Sequence, residues 1–430
     1  MRFIIQGGRT LEGNIRLAGA KNAATKMMVA SLLTGEPCVL ENFPEIGDTK
    51  ITEELCGSLG SKIEKNNNIL KISTPELKTS KVTSLSRRNR IPILALGPLL
   101  ARMGEAEVPI LGGDKIGPRP VDIHLASLTA MGAKVEVLAD RYVGFAKNGL
   151  RGAKIALRYP SVGATENTIL AAVLAKGRTI IQNAAIEPEI LDLVKFLQKM
   201  GALIEFGANR VIYIDGVEHL RGANHEIMPD RNEAVSFACL AIATDGRILV
   251  KGAQQENLST FLNTIRRIGG EYEVKKNGIE FYRAGKLYPA NIETDTYPGF
   301  MTDWQQPTAV LLTQANGSSN IHETVYEDRF GYAADLNLMG ADIKAQTKCL
   351  GELPCRFIGG DHCHSAIING PTELEAAKIS VRDLRSGIAH VIAALIARGE
   401  SSINGVEELD RGYEKLDERL KALGANISRV

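Results

Sequence analysis

Three cations stand where a helix disfavours them. Counting back 14 residues from Gly35, Gly104 and Gly399 gives Lys21, Arg90 and Arg385, and the same step from Gly317 gives Asp303. Counting back 16 from Gly177 and Gly246 gives Ser161 and Asp230. Each position lies at or near the start of a stretch of helical apolar periodicity, as in 22–34, 91–103, 165–176 and 381–398. A helix N-terminus presents unpaired N–H groups and a positive dipole end, so acidic residues are favoured there and added Lys or Arg is not. Three such cations predict a ligand carrying several negative charges. Asp303 or Asp230 taken singly reads as an ordinary N-cap. Loops supply a second set: Gly112-Gly113-Asp114-Lys115-Ile116-Gly117-Pro118-Arg119-Pro120, then Glu327-Asp328-Arg329, then Asp410-Arg411-Gly412-Tyr413. The first, punctuated by Gly and Pro around a carboxylate and two cations, reads as a mobile lid. A single Arg is more often a surface residue than a ligand; recurrence at one place in a repeat changes that.

The repeat positions them. Apolar stretches end at Gly35, Gly104, Gly177, Gly246, Gly317 and Gly399, and each of these glycines opens a short β-like run. About 25 residues on, a second series follows a hydrophobic residue: Gly60, Gly132, Gly201, Gly269, Gly340 and Gly424, spaced by 72, 69, 68, 71 and 84. A period near 70 exceeds the roughly 20–50 residues of a solenoid unit. It suits a small α/β unit of two helices and several strands, with sheets covered on one face by helices. Glycine after each helix is expected to supply the left-handed backbone that ends it.

Bulk properties narrow the class. The chain has 430 residues, 44% apolar, and a net charge of +1. That length and six units predict two domains of three units each, and the near-neutral charge gives no case for nucleic acid or an anionic membrane. The longest apolar run, 91–101, contains Pro92, Gly97 and Pro98 and is too short to span a bilayer. No signal-peptide pattern opens the chain, and six scattered cysteines do not form a disulfide framework. The expectation is a cytoplasmic protein without membrane insertion.

The final interval of 84 is the long one, and its excess lies around 348–366, with Cys349, Cys355, His362, Cys363 and His364. Five soft ligands invite a zinc reading. Their spacing matches no standard finger and adjacent ligands suit one tetrahedral ion poorly, so a loop insertion with incidental thiols is the better reading.

At the helix-start and loop residues described first, the chain resembles the UDP-N-acetylglucosamine 1-carboxyvinyltransferases of the enolpyruvyl transferase family. The resemblance rests on Gly19-Ala20-Lys21-Asn22-Ala23-Ala24, Gly117-Pro118-Arg119-Pro120-Val121-Asp122-Ile123-His124, Ser161-Val162-Gly163-Ala164-Thr165, Glu187-Pro188-Glu189-Ile190, Pro229-Asp230-Arg231, Phe300-Met301-Thr302-Asp303, Glu323-Thr324-Val325-Tyr326-Glu327-Asp328-Arg329 and Asp410-Arg411-Gly412-Tyr413-Glu414. It implies a two-domain inside-out α/β barrel of six βαβαββ-type units, with the active site in the interdomain cleft. The implied domains are 21–229, carrying the loop 111–120, and 1–20 with 230–430.

The implied reaction moves the enolpyruvyl group of phosphoenolpyruvate to the 3′-hydroxyl of UDP-N-acetylglucosamine by addition and elimination, with no metal and no cofactor. By position, Lys21, Arg119 and Arg411 correspond to the clamp for phosphate and carboxylate, a task suited to the arginine fork. Arg90, Arg329 and Arg385 complete the positive cleft, and Asp303 corresponds to the base for the hydroxyl. Asn22, Arg119, Pro120, Val121, Asp122, Ile123, Ser161, Val162, Gly163, Thr302 and Val325 correspond to nucleotide-sugar contacts, and Glu187 and Asp230 to acidic cleft positions.

Asp114 departs from the commoner family pattern, in which a Cys at this loop position is alkylated by fosfomycin. An acid that protonates carbon must itself hold a proton. A free Asp, with a pKa of about 3.9, does not hold one near neutrality, so burial and a nearby phosphate must raise it. An active, fosfomycin-resistant Asp variant is the expectation. Transfer to shikimate 3-phosphate and a non-catalytic nucleotide-sugar binder are the alternatives. Oligomeric state is left open.

Overall fold

The computed structural model describes residues 1–82, 85–87, 89–110, 112–113, 117 and 120–430. Asp114 and Arg119 lie outside these. Two compact units divide the chain: 19–113 with 120–228, and 1–18 with 229–430.

Each unit carries three repeats of one plan. A short strand, a buried helix, a strand, a second helix and a hairpin follow one another. In the 19–228 unit the three sheets are built on Cys38–Glu41, Glu105–Pro109 and Arg178–Gln182. Cys38–Glu41 pairs in parallel with Asn224–Glu226 and antiparallel with Ile69–Ser73. Arg178–Gln182 likewise pairs in parallel with Lys154–Ala156 and antiparallel with Val211–Asp215. Among the described residues the middle sheet has three strands, and a parallel bridge between Lys81 and Glu107 marks the place of the fourth. The other unit repeats the pattern on Arg247–Lys251, Gly317–His322 and Glu400–Asn404. Here the N-terminal strands complete two sheets: Glu12–Arg16 pairs with Arg247–Lys251, and Arg2–Gln6 with Glu400–Asn404.

The first helix of each repeat is the core. Arg231–Ala243 is buried from Arg231 through Ile242, and Gln305–Thr313 is buried at every residue. Leu384–Ile396 is buried from Leu384 through Leu395. Helices inside and sheets outside is the reverse of an ordinary α/β barrel. Sequence composition explains it: Ala, Gly and Ser let helices approach, while Leu, Ile and Val side chains fill what remains, each fully buried one contributing about 1.5–3 kcal/mol. Gly97 shows the constraint, because a Cβ there would lie 2.9 Å from the backbone nitrogen of Ala171 on the neighbouring helix Val162–Ala172. The second helices are amphipathic instead, as in Ser259–Ile268, which buries Phe261, Leu262, Ile265 and Ile268 on one stripe.

All six glycines of the second series have a positive φ, between 93° and 108°. Among the opening glycines only Gly104 ends its helix in the left-handed conformation; Gly177, Gly317 and Gly399 also have positive φ but lie beyond helices that end at Ala172, Thr313 and Ile396. Gly35 and Gly246 serve close approach: a Cβ at Gly246 would overlap the Leu11 carbonyl, and one at Gly35 would sit 3.2 Å from the Pro75 carbonyl oxygen.

The insertion is a hairpin connection. Strands Asp342–Gln346 and Ser365–Gly370 pair antiparallel across residues 347–364, where the equivalent hairpins turn in two or three residues. Among the described residues no helix is long and apolar enough to cross a membrane.

Candidate active site

In the 1–18/229–430 unit the polar ends of the buried helices meet. Asp303 lies in the 3₁₀ turn Thr302–Trp304 that leads into the helix Gln305–Thr313. Its Oδ1 accepts from Nη2 of Arg329 at 2.8 Å, and its Oδ2 lies 3.1 Å from Nε of Arg385. Arg329 and Arg385 are buried, while Asp303 keeps part of its carboxylate open, at 24% exposure. Burial works against both guanidinium charges, but Asp303 acting with Asp383 and Glu323 on Arg329, and with Tyr413 and Asp230 on Arg385, more than offsets it, and both are held above the ordinary arginine value.

A hydrogen-bond chain locks Arg385. Its Nη1 donates to Tyr413 Oη at 3.3 Å, and Tyr413 Oη lies 2.7 Å from Ser236 Oγ, which donates to the Asn232 carbonyl at 2.9 Å. Burial pushes the Tyr413 phenol up to about 12, so it stays a neutral relay. Asp230 caps the helix carrying Asn232 and Ser236 by accepting from the Asn232 and Glu233 amides.

Glu323, fully buried, organises the neighbouring segments. Its Oε2 accepts from Thr302 Oγ1 at 2.9 Å and Gln305 Nε2 at 2.6 Å. Its Oε1 accepts from the amides of Val325 and Tyr326 at 2.8 and 3.0 Å. Thr302, Asp303, Val325 and Arg329 are thereby brought together. Arg411 is buried and pairs with Glu408 at 3.1 Å.

The 19–228 unit carries the second group. Lys21, the first residue of the helix Lys21–Ala30, has Nζ 3.0 Å from Oδ2 of the buried Asp48. Asn22 follows, half-buried. One turn on, Lys26 faces Glu166 at 3.9 Å. Burial raises the Glu166 carboxyl, and Glu187 and Glu189 add to the shift while Lys26 opposes it. Ser161 caps Val162–Ala172, its Oγ accepting from the Ala164 amide at 3.3 Å. Arg90 stands at the N-cap of the 3₁₀ helix Ile91–Ala95. Val121 caps Asp122–Ala130, with the exposed Pro120 before it. Asp122 pairs with Arg158, and with Ile123, Ser127 and Lys154 these residues line a half-open groove of about 280 Å³. Gly163 joins this group, since a Cβ there would meet the His124 ring at 3.0 Å.

His124 connects the pieces. Asn167 Nδ2 donates to its Nδ1 at 3.4 Å. Burial, and after it the charge of Arg90, pushes the imidazole down to about 3. The unfolded ring takes its proton near 6.5. Stability from the neutral ring is therefore intact above about pH 6.5 and is lost as pH falls toward 3. In an NMR titration the His124 ring resonances are expected to stay at the neutral position from pH 8 to 5. A midpoint near 6.5 would show that the ring is hydrated instead.

Glu323, Tyr413 and His124 fall inside the quoted motifs, yet spacing assigned them no role. Their function is to hold other side chains, and only contacts reveal it.

Two units of three βαβαββ repeats, with buried cations at the helix ends, define an enolpyruvyl transferase fold. The family profile described as EPSP synthase (3-phosphoshikimate 1-carboxyvinyltransferase) matches residues 5–420, and the chain belongs to this family. It is 48% identical over 435 residues to a UDP-N-acetylglucosamine 1-carboxyvinyltransferase of Protochlamydia amoebophila (strain UWE25), covering 99% of this chain and 94% of that one. A protein of the same name from Chlamydia abortus (strain DSM 27085 / S26/3) is 50% identical over 427 residues, covering 98% and 96%. Among solved structures, the enolpyruvyl transferase NikO from Streptomyces tendae superposes with a TM-score of 0.86 at 22% identity, over 99% of this chain and 98% of its own.

Proposed function

We infer that the chain transfers the enolpyruvyl group of phosphoenolpyruvate to the 3′-hydroxyl of UDP-N-acetylglucosamine with release of phosphate, the first committed step of peptidoglycan synthesis. The observation that carries this reading is near-half identity, over almost all of both chains, with relatives whose names state that activity. The buried cations and the partly open Asp303 carboxylate supply matching chemistry.

In this reading Asp303 takes the proton of the sugar hydroxyl as its oxygen attacks C2 of phosphoenolpyruvate. Asp114 gives a proton to C3, turning the methylene into a methyl group and completing a tetrahedral adduct. Elimination then returns a proton from that methyl group to the Asp114 carboxylate and expels phosphate, restoring the double bond on the sugar ether. Lys21, Arg119 and Arg411 hold the phosphate and carboxylate. Arg90, Arg329 and Arg385 add positive potential, and Arg329 and Arg385 aim Asp303. Asn22, Pro120 to Ile123, Ser161 to Gly163, Thr302 and Val325 contact the nucleotide-sugar. The reaction runs in the cytoplasm without cofactor, serves wall growth and thus cell shape and division, and resists fosfomycin. Proton NMR of the reaction mixture tests the transfer: a vinylic methylene pair on the sugar ether is expected with UDP-N-acetylglucosamine. Its appearance with shikimate 3-phosphate alone would contradict the acceptor.

A further inference from the structure

The hairpin insertion closes on a strand histidine that the sequence spacing never connected to it. One ligand atom each from His322, Cys349, Cys355 and His364 lie within 4.8 Å of one another. His322 ends the strand Gly317–His322, and His364 immediately precedes its antiparallel partner, the two strands pairing His322 with Ser365. Both rings are buried, at 1% and 0% exposure. His362 and Cys363, which crowded the sequence pattern, are not part of the group. The objection from finger spacing therefore falls away, because the fourth ligand comes from 27 residues upstream of Cys349.

We propose that these four side chains form a structural zinc site that fastens the 347–364 insertion to the sheet. Four observations carry it. Two sulfurs and two imidazole nitrogens are the donor set of a closed tetrahedral site, in which metal bonds of about 2.0–2.3 Å put donors about 3.3–3.8 Å apart. Cys349 Sγ already lies 3.2 Å from His364 Nε2. Each histidine is oriented from behind. His322 Nδ1 lies 3.1 Å from Glu293 Oε2, and His364 Nδ1 lies 2.9 Å from the His362 carbonyl, so both direct Nε2 at the cluster. A carboxylate or carbonyl behind a ligating imidazole is the usual arrangement at zinc. Nε2 of His322 is buried and has no hydrogen-bond partner, a state that ligation would relieve.

The loop backbone fits the same reading. The Phe357 amide donates to Cys355 Sγ at 3.4 Å, as suits a thiolate carrying metal. Glu293 accepts from the Glu352 and Leu353 amides at 2.9 and 2.8 Å, so the carboxylate that orients His322 also ties down the loop. Gly351 sits where a Cβ would overlap both Glu293 Oε2 and His322 Nδ1. With four protein ligands no coordination position remains for a substrate, so the role is structural. The site abuts the active-site scaffold, because the His364 carbonyl accepts from the amide of Glu323 at 2.8 Å and Arg356 donates to the carbonyls of Thr324 and Val325.

The test uses tag-free, full-length protein loaded with zinc, passed over chelating resin and analysed for metal. About one zinc per chain is expected, with Cys349 and Cys355 protected from alkylation until a chelator removes it while Cys363 reacts in both states. Cobalt substitution is expected to give intense tetrahedral visible bands and a thiolate charge-transfer band. Cys349→Ser and His322→Gln should lose the metal, Cys363→Ser should keep it, and Glu293→Gln should weaken binding about 10–100-fold. Should a ligand variant fail to fold, the alkylation and cobalt readouts on the unaltered chain still decide. Zinc well below one per chain after loading, zinc kept by Cys349→Ser, or a Cys349–Cys355 disulfide in its place would overturn the proposal.

Discussion

Asp303→Asn is expected to lower kcat by about 10²–10⁴-fold, the range for loss of a general base. Asn keeps the shape and one acceptor oxygen beside Arg329 and Arg385 but cannot take a proton. The fall should appear in kcat and kcat/KM together, with KM for the nucleotide-sugar little changed. The stability effect must be separated from it. Removing the charge leaves two buried guanidiniums less well paired, and breaking a buried pair costs about 3–5 kcal/mol. A urea unfolding curve run beside the kinetics makes that separation. If the variant is folded and turns over at the parental rate, Asp303 orients the arginines and another group takes the proton.

Asp114→Ala is expected to lower turnover by about 10²–10⁴-fold for want of the acid that protonates C3. Asp114→Cys gives the sharper result. A thiolate is a far better nucleophile than a carboxylate, so this variant is expected to be alkylated and inactivated by fosfomycin. The parental enzyme should show no mass increment after the same exposure. Intact-protein mass spectrometry and residual activity, read together, check both halves. Labelling of the unaltered chain at Asp114, or parental turnover in Asp114→Ala, would remove Asp114 from the mechanism.

The periodic features of the sequence carried the architecture. A Leu-Gly, Met-Gly or Ile-Gly pair recurring near 70 residues marks a helix end each time, and all six of those glycines have the left-handed backbone that such an end requires. Cations counted back from the opening glycines also sit at helix starts: Lys21 begins Lys21–Ala30, and Arg385 is the second residue of Leu384–Ile396. Side-chain partnership was less legible, because it depends on residues far apart in the chain. Glu323 reaching Thr302 and Gln305, or Tyr413 reaching Ser236 across 177 positions, leaves no trace in spacing. His322 shows the same limit most plainly. It sits in an ordinary strand, and antiparallel pairing alone carries it to the thiols of the insertion. Gly35 and Gly246 mark a smaller one: the residue type was right, but close backbone approach rather than chain reversal explains it.

Enolpyruvyl transfer to a nucleotide-sugar is read directly as phosphate release by the purified protein from phosphoenolpyruvate, with UDP-N-acetylglucosamine, with shikimate 3-phosphate, and with neither. Release that depends on UDP-N-acetylglucosamine is the predicted result. Release only with shikimate 3-phosphate, or none despite tight nucleotide-sugar binding, would contradict the account.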